Sequence, residues 1–377
     1  MAGEAVLRPA AGTAPLQARR WSTEEWLASE VECERLGRQA AGDVLFLSWQ
    51  WMSHWWNCYG ATLGTTEILA FYRAGQLAGL APLFRRRVLR GGILPLASVQ
   101  VIGLSWRDPR PMISEYLDVI AAPADLEAVR RACLEFLLAE QDWSEFVVGL
   151  TAAGAAWSDT FSSCAPSVGH YARELDHCIS YQADLSAGFA KYLRDLSQST
   201  RRSVWNLRRR VAGLGRIELE SVSAQNIAPA FGDLNRLHQL RWRKPAFAGA
   251  RLDFHLALAR RLAASDELAL SRLRVGGRVV SVLYDIRKPG RQYNIKMGFD
   301  PHFSSQVSLG YIHLGFAMEA AADRGIPRYD FLAGPGRTSD FKRLLSQSRH
   351  HLSSVQMLRG RALSSLFRLR DRLRPRS

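Results

Sequence analysis

Residues 293–320 read YNIKMGFDPHFSSQVSLGYIHLGFAMEA, and this stretch decides the fold. A strand over 292–299 ends in Gly298-Phe299-Asp300-Pro301. A Ser-rich loop follows, and Ser308-Leu309-Gly310 opens a helix predicted over 308–324. A helix N-terminus has unpaired N–H groups and the positive end of the dipole. It is therefore a ready seat for a phosphate. Ser308 is a good N-cap residue, spare to contact a ligand. Gly310 in the first turn would let a phosphate approach the backbone. An ordinary capped helix after a Pro turn fits the same residues equally well.

Working outward, the stretch is preceded by a hairpin, LALSRLRVG and RVVSVLYDI, meeting at Gly276-Gly277. Upstream lie a helix over 185–193, a basic helix over 199–210, a strand over 217–222 and a long helical region over 224–264. Downstream come a strand over 329–333, a helix over 339–346 and a strand over 352–358.

The first half echoes this order. A strand and helix occupy 17–40, with Ser22 and Glu25 spaced as a capping box. A Trp-rich helix carries Trp49, Trp51, Trp55 and Trp56, and Gly60 is its expected stop. Trp51 and Trp55 share one helical face, which suits a core anchor or a ligand-stacking wall. A hairpin turns at Ala74-Gly75-Gln76. Strands to about Gly103 and over 115–120, a helix over 123–141 and a strand over 146–150 complete it. Both hairpins carry Gly in the turn, and a repeat of this size suggests duplication of one fold.

The chain has 377 residues, which suits two domains. We place a leader at 1–16, domains at 17–165 and 166–358, and a basic tail at 359–377. Eleven tryptophans argue against wholesale disorder. The net charge of +15 comes from 45 Arg and only five Lys, spread along the chain. Such charge suits an anionic ligand, nucleic acid or membrane surface. Five cysteines without a C-x-x-C motif suggest neither a disulfide framework nor zinc. His350-His351 and His177-Cys178 are neighbours that a strand would point apart, so no metal is expected. The N-terminus has Glu4 and no apolar core of a signal peptide, and no run is long enough to span a membrane. The expected location is cytoplasmic. In the tail, Leu363, Leu366, Phe367 and Leu373 fall roughly on one face among arginines. That reads as an amphipathic helix on an anionic inner-membrane surface or as a frayed basic terminus.

The order of hairpin, strand, Gly-Phe-Asp-Pro, Ser-x-Gly helix and Tyr329-Asp330-Phe331-Leu332-Ala333-Gly334 resembles the GNAT superfamily of acyltransferases. More closely it is similar to the BioF2-like, cellulose-biosynthesis (CelD-type) acetyltransferases. The Trp-rich helix, the Gly75–Leu83 hairpin, the basic helix 199–210, Leu237-His238 with Arg241-Trp242, and Phe341-Lys342 agree with that family. The resemblance runs over roughly residues 20–358. It implies an α/β (α+β) fold of tandem GNAT-like units, each a mixed central sheet flanked by helices, the first unit degenerate. It further implies acetyl-CoA or another acyl-CoA as co-substrate, and transfer to an amine or hydroxyl of a small molecule or sugar, with envelope polysaccharide as the pathway context.

On that reading Met297, Phe299, Gln306, Val307, Ser308, Leu309, Gly310, Tyr311 and Lys342 bind the acyl-CoA. Leu309 stands where the family has Pro. Phe341 stands where it has a Tyr that, in some members, protonates the departing thiolate. Base candidates are Asp330, Asp285 and His238, since transfer needs a deprotonated acceptor. Arg241 and Trp242 would line the acceptor pocket with His238, or form a structural stack. Of Tyr293 and Asn294, alternation lets one face the ligand. Arg201, Arg202 and Arg208–Arg210 are phosphate contacts or a solvated face. Two other functions stay open: a Fem-like aminoacyl transferase using charged tRNA, although no long helical arm is visible, and a non-catalytic binding protein.

Overall fold

Strands β1 (Gln17–Trp21), β2 (Thr65–Arg73), β3 (Gln76–Arg90) and β4 (Leu94–Val101) run antiparallel, each beside the next. This computed structural model describes residues 14–40, 45–164, 169–333 and 339–373. Ala74 and Gly75 join β2 to β3 with φ of 48° and 77°, a turn whose twist matches the flanking strands. A two-residue strand, β5 (Ile120–Ala121), pairs with β3. β6 (Glu145–Thr151) lies parallel to β4, with helix α4 (Leu126–Ala139) connecting them. β13 (Ser348–Arg359) closes this sheet antiparallel to β6.

The helices of the first unit are α1 (Thr23–Ala28), α2 (Glu30–Gln39), α3 (Trp49–Leu63) and α5 (Gly154–Cys164), besides α4. Ser22 caps α1 through the Glu25 amide, as its spacing predicts. Trp51 and Trp55 on α3 are fully buried. Their indole N–H groups donate to Ser114 Oγ and Met112 O, both at 2.7 Å. A buried indole needs such a partner, so this cluster is the core anchor. Gly60 does not stop the helix. It lies inside α3, where a Cβ would come within 2.5 Å of the Trp56 ring, and Gly64 caps the end instead. The strand predicted over 115–120 shrinks to β5. Tyr116 adopts φ 56°, and Asp118 turns its carboxylate onto its own loop at Val119 N and onto Arg130 and Trp157.

In the second unit β8 (Ile217–Ser221), β9 (Leu268–Val275), β10 (Arg278–Lys288) and β11 (Arg291–Phe299) are again antiparallel neighbours. β12 (Arg328–Asp330) lies parallel to β11, with α11 (Leu309–Asp323) connecting them. The last residues of β7 (His170–Asp184) pair antiparallel with β12. Order and sense repeat those of the first unit strand for strand, so the duplication read from one hairpin extends to the whole sheet. Both are mixed sheets flanked by helices.

Contacts divide the chain into one unit built from residues up to Cys178 and from His351 onward, and another from Ile179 to His350. The sequence boundaries at 165/166 and 358/359 differ because β13 returns to the first unit and the first residues of β7 lie with that unit too. The 165/166 boundary itself lies outside the described residues. β7 was not predicted. Its first two-thirds, with Arg173, Glu174, Asp176 and His177, lack a buried alternation.

The helical region 224–264 is two helices, α9 (Ile227–Trp242) and α10 (Ala250–Ala263). The break holds Pro245 and left-handed φ values at Arg243 (56°) and Gly249 (53°). Helix 185–193 becomes α6 (Phe189–Asp195). The basic helix is α7 (Gln198–Arg201), a π-helical turn over Arg202–Asn206 and α8 (Arg208–Ala212). α12 covers Ser339–Leu344. The tail forms α13 (Arg361–Leu373), anchored by buried Phe367. No helix among the described residues is long and apolar enough to cross a membrane.

Candidate functional site

β11 and β12 pair only at Gln292↔Tyr329 and Tyr293↔Asp330. Beyond that point β11 continues to Phe299 while β12 ends, and Leu332 turns away with φ 60°. The edge of β11 past Tyr293 therefore has no partner strand among the described residues. In the first unit β4 pairs with β6 up to Gln100, one residue short of its end. The open groove belongs to the second unit alone. The register of β11 also shifts. Tyr284 faces Lys296 and Asp285 faces Asn294, which leaves Ile295 as the extra residue of a bulge. Such a bulge bends a strand and re-aims its groups.

Helix α11 starts beside this groove. Ser308 is its N-cap, its side chain makes no capping bond, and the first turn holds no acid. The equivalent helix of the first unit, α4, begins at Asp125 with Glu127 in its first turn, and Asp125 pairs with Arg73 at 2.9 Å. A carboxylate there would repel a phosphate, while the Ser308 end would accept one. Gln306 lines a cleft of 550 Å³ with Gln198, Ser199, Arg202, Ser203 and Leu207. Val307 and Leu309 face inward and pack on Val211 and Leu273. Tyr311 is half-buried, its ring edge-on to Phe341 at 6.3 Å. Gly310 has a role the sequence did not disclose. A Cβ there would meet the ends of Phe299 (2.8 Å) and Met297 (2.9 Å), so it seats α11 on β11 and its face is covered.

α9 packs on the opposite face of β11. A Cβ at Gly298 would lie 2.8 Å from Leu234 O and 3.1 Å from His238 N. This close approach puts His238 beside the divergent segment. Arg243, left-handed at the end of α9, brings Lys244 O to 2.8 Å from His238 Nδ1. A carbonyl only accepts, so Nδ1 carries the proton and Nε2 keeps its lone pair. Burial first, then the positive charges of Lys296, Lys244 and Arg241, hold the His238 pKa below its ordinary value. Arg241 lies over both Trp242 (4.8 Å) and Phe299 (4.7 Å). Lys296 sits 6.0 Å from the Phe247 ring. Burial, then Lys244 and Arg251, depress its pKa.

The other predicted residues are placed differently. Asp285 is 1% exposed. Its oxygens accept from Tyr329 Oη (2.6 Å), Gln292 Nε2 (2.7 Å) and Asn294 Nδ2 (2.8 Å). Asp330 is fully buried and accepts from Gln182, Ser180 and Leu332 N. Both carboxylates are thus buried and ringed by donors. Asn294 is spent on Asp285, and Tyr293 is buried beneath Arg291. Lys342 donates to Leu332 O (2.9 Å) and Ala333 O (3.1 Å), holding the turn after β12. Gly334 lies outside the described residues, and among those described no metal-binding cluster occurs.

Burial raises the Asp285 pKa to about 6. The folded protein then holds this proton more tightly than the unfolded chain, whose Asp titrates near 3.9. The resulting stabilisation is complete below about pH 4 and is lost as pH rises through 6. Asp285→Asn cannot titrate. Relative to wild type, its unfolding free energy should therefore gain about 2 kcal/mol between pH 4 and pH 7. Denaturant unfolding of both proteins across that range checks this; parallel curves would refute it.

Lys244, Phe247, Ser199 and Ser203 also lie beside this region and were not singled out from the sequence, whereas the backbone near Lys296–Gly298 was, as a donor to the thioester oxygen. Lys244 and Phe247 lie on the break after α9 and Ser203 on a π-helical turn, which periodicity does not reveal.

Residues 198–343 match the family model for an acetyltransferase (GNAT) domain. No curated protein matches the chain. Among solved structures, the crystal structure of FemX aligns with a TM-score of 0.58 at 11% identity, over 86% of this chain and 95% of that one. The C-terminal domain of a putative lysylphosphatidylglycerol synthetase from Agrobacterium fabrum aligns with a TM-score of 0.51 at 12% identity, over 93% and 97%. These likenesses are of fold. The segment 198–343, which contains the groove and the α11 N-terminus, thus carries the chain's match to the GNAT acetyltransferase superfamily.

Proposed function

We propose that the second unit transfers an acyl group from acyl-CoA directly to an amine or hydroxyl of a small molecule or sugar, in the manner of the BioF2-like, CelD-type enzymes. The observation that carries this is the unpaired edge of β11 running to an acid-free, Ser-capped helix start, present in this unit and closed in the other. The donor set fits. Ser308, the first amides of α11, Gln306 and Arg202 suit phosphates, and the free β11 edge suits an amide-bearing arm. Acyl-CoA supplies the activated acyl carbon.

The chain's own residues supply the rest. His238 Nε2 takes a proton from the acceptor, its tautomer fixed through Nδ1 by Lys244 O. The bulged β11 amides around Lys296 are the candidate donors to a developing oxyanion. Tyr311, its pKa raised by burial, keeps its proton beside Phe341 and provides the phenol that Phe341 lacks. Lys296, Lys244 and Arg241 favour an acceptor with an anionic group.

Ser308→Asp tests the reading. Asp caps a helix as well as Ser, so the fold persists, while its charge opposes a phosphate. Calorimetry should show micromolar acetyl-CoA binding (about −8 kcal/mol) for wild type and at least tenfold weaker binding for the variant. No heat from acetyl-CoA or longer acyl-CoAs would sink the proposal. A second reading, aminoacyl transfer from charged tRNA, is favoured by the charge of +15 and the fold likeness to FemX. Binding of charged tRNA without CoA affinity would establish it.

A further inference from the structure

Helix α13 is anchored by one face and presents a different one outward. Phe367 is 3% exposed and Ser364 is buried with it. The Arg173 guanidinium lies over the Phe367 ring at 4.7 Å and binds Asp371 at 2.8 Å. Tyr171 donates to the same carboxylate at 3.1 Å. These contacts fix the rotation of the helix. Leu363, four residues before Phe367, shares its face and is half-buried, but the remaining tail leucines do not. Leu366, Leu369 and Leu373 turn to solvent, 51%, 57% and 75% exposed.

At about 100° per residue these three leucines fall within roughly 60° of arc. Arginines flank the stripe on both sides. Arg370, its guanidinium 5.4 Å from the Phe367 ring, lies next to Leu366, and Arg361 and Arg372 border Leu369. Asp371 is the helix's one acid, and Arg173 holds it inward. The outward face of α13 is thus an apolar stripe between cationic borders with no carboxylate. Arg368 is further steadied by His170 O at 2.8 Å and by the Tyr171 ring at 5.2 Å.

We propose that α13 is an interfacial membrane anchor: the three leucines enter the headgroup–acyl boundary of an anionic bilayer while the arginines contact lipid phosphates. An amphipathic helix with arginines beside its apolar face is suited to that plane. Charge complementarity decides the occupant. A second copy would need an isologous contact that brings the same arginines face to face. Three leucines also cover far less than the roughly 800 Å² per partner of a stable protein interface. A bilayer accepts a narrow stripe and neutralises the borders. The proposal is independent of what the groove in the second unit binds.

The test is co-sedimentation of the full chain with extruded vesicles, either phosphatidylcholine alone or with 30 mol% phosphatidylglycerol. Each basic residue at an anionic surface strengthens binding about fivefold, so the anionic vesicles should bind at least about 25-fold more tightly. The triple variant Leu366→Ser, Leu369→Ser, Leu373→Ser keeps every charge and replaces only exposed side chains. It should unfold at the wild-type temperature and bind at least about tenfold more weakly. Arg361→Gln with Arg372→Gln should weaken binding to anionic vesicles and leave the phosphatidylcholine result unchanged. Absence of sedimentation with phosphatidylglycerol vesicles at millimolar lipid would overturn the proposal. So would a triple variant that binds like wild type, because adsorption would then come from net charge alone. Lipid-independent self-association lost in the triple variant would assign the stripe to a second copy instead.

Discussion

His238→Ala is expected to lower kcat/KM by about 10²–10⁴, the range a positioned general base contributes, with little loss of acyl-CoA affinity. Three features single out His238 among the candidate bases. Its Nδ1–H is committed to Lys244 O, which leaves Nε2 as an acceptor. It adjoins the strand segment that diverges from β12. Its pKa is depressed, so the neutral form persists below the ordinary histidine midpoint. The sign of the pH effect follows. A base must be unprotonated, so the wild-type rate should stay level as pH falls to about 6.5 and decline only below it. The alanine variant should lose that acid limb. The measurement is thiol release from acetyl-CoA across pH, with an acceptor that supports turnover. Wild-type rates in the alanine variant would remove His238 from the mechanism, and Asp285 and Asp330 could not replace it without rearranging the contacts that bury them.

Gly315→Ala should destabilise the protein by about 1–2 kcal/mol, whereas Gly310→Ala, five residues earlier on the same helix, should be nearly neutral. Both substitutions gain up to about 1 kcal/mol of helix propensity. The difference is what the new methyl meets. At Gly310 it meets the ends of the Phe299 and Met297 side chains, which can rotate aside. At Gly315 it would lie 2.4 Å from Val204 O, a backbone atom of the π-helical turn, and the helices must move apart. Overpacking of that kind typically costs 1–3 kcal/mol and occasionally more. Arg202 and Ser203 sit on the same turn and line the cleft beside Gln306. Gly315→Ala should therefore also weaken acyl-CoA binding. Urea unfolding midpoints for the two variants test the contrast; equal shifts would show that the crossing yields.

The parts of the fold read correctly are those written in local patterns. Ala74-Gly75 and Gly276-Gly277 demand their turns, and Ser308 marks the start of α11. β7 escaped because half of it is polar, and a strand of that kind is recognised only by the partner it finds. Gly60 and Gly310 were assigned the roles glycines play at helix ends and ligands. Each also answers to a bulky ring, Trp56 one turn back on the same helix in one case and Phe299 on β11 in the other. At the site, the shared helical face of His238 and Arg241 was legible from their spacing. The surroundings of Asp285 and Asp330 were not, because a carboxylate at a strand end looks the same whether water or a ring of donors surrounds it. The carbonyls that Lys342 meets were hidden likewise, since phosphate oxygens and peptide carbonyls satisfy an ammonium equally well.

The exchange of closing strands bears on how the chain is born. A ribosome releases β1 to β6 early, but β13, the strand that seals this sheet at β6, emerges only after every strand of the second sheet. Until then the β6 edge, with Val147 and Val148, offers unpaired backbone to any passing strand. The second sheet faces no such wait, because β7 is synthesised before the strands it will join. The half of the chain made first is thus the last to be completed.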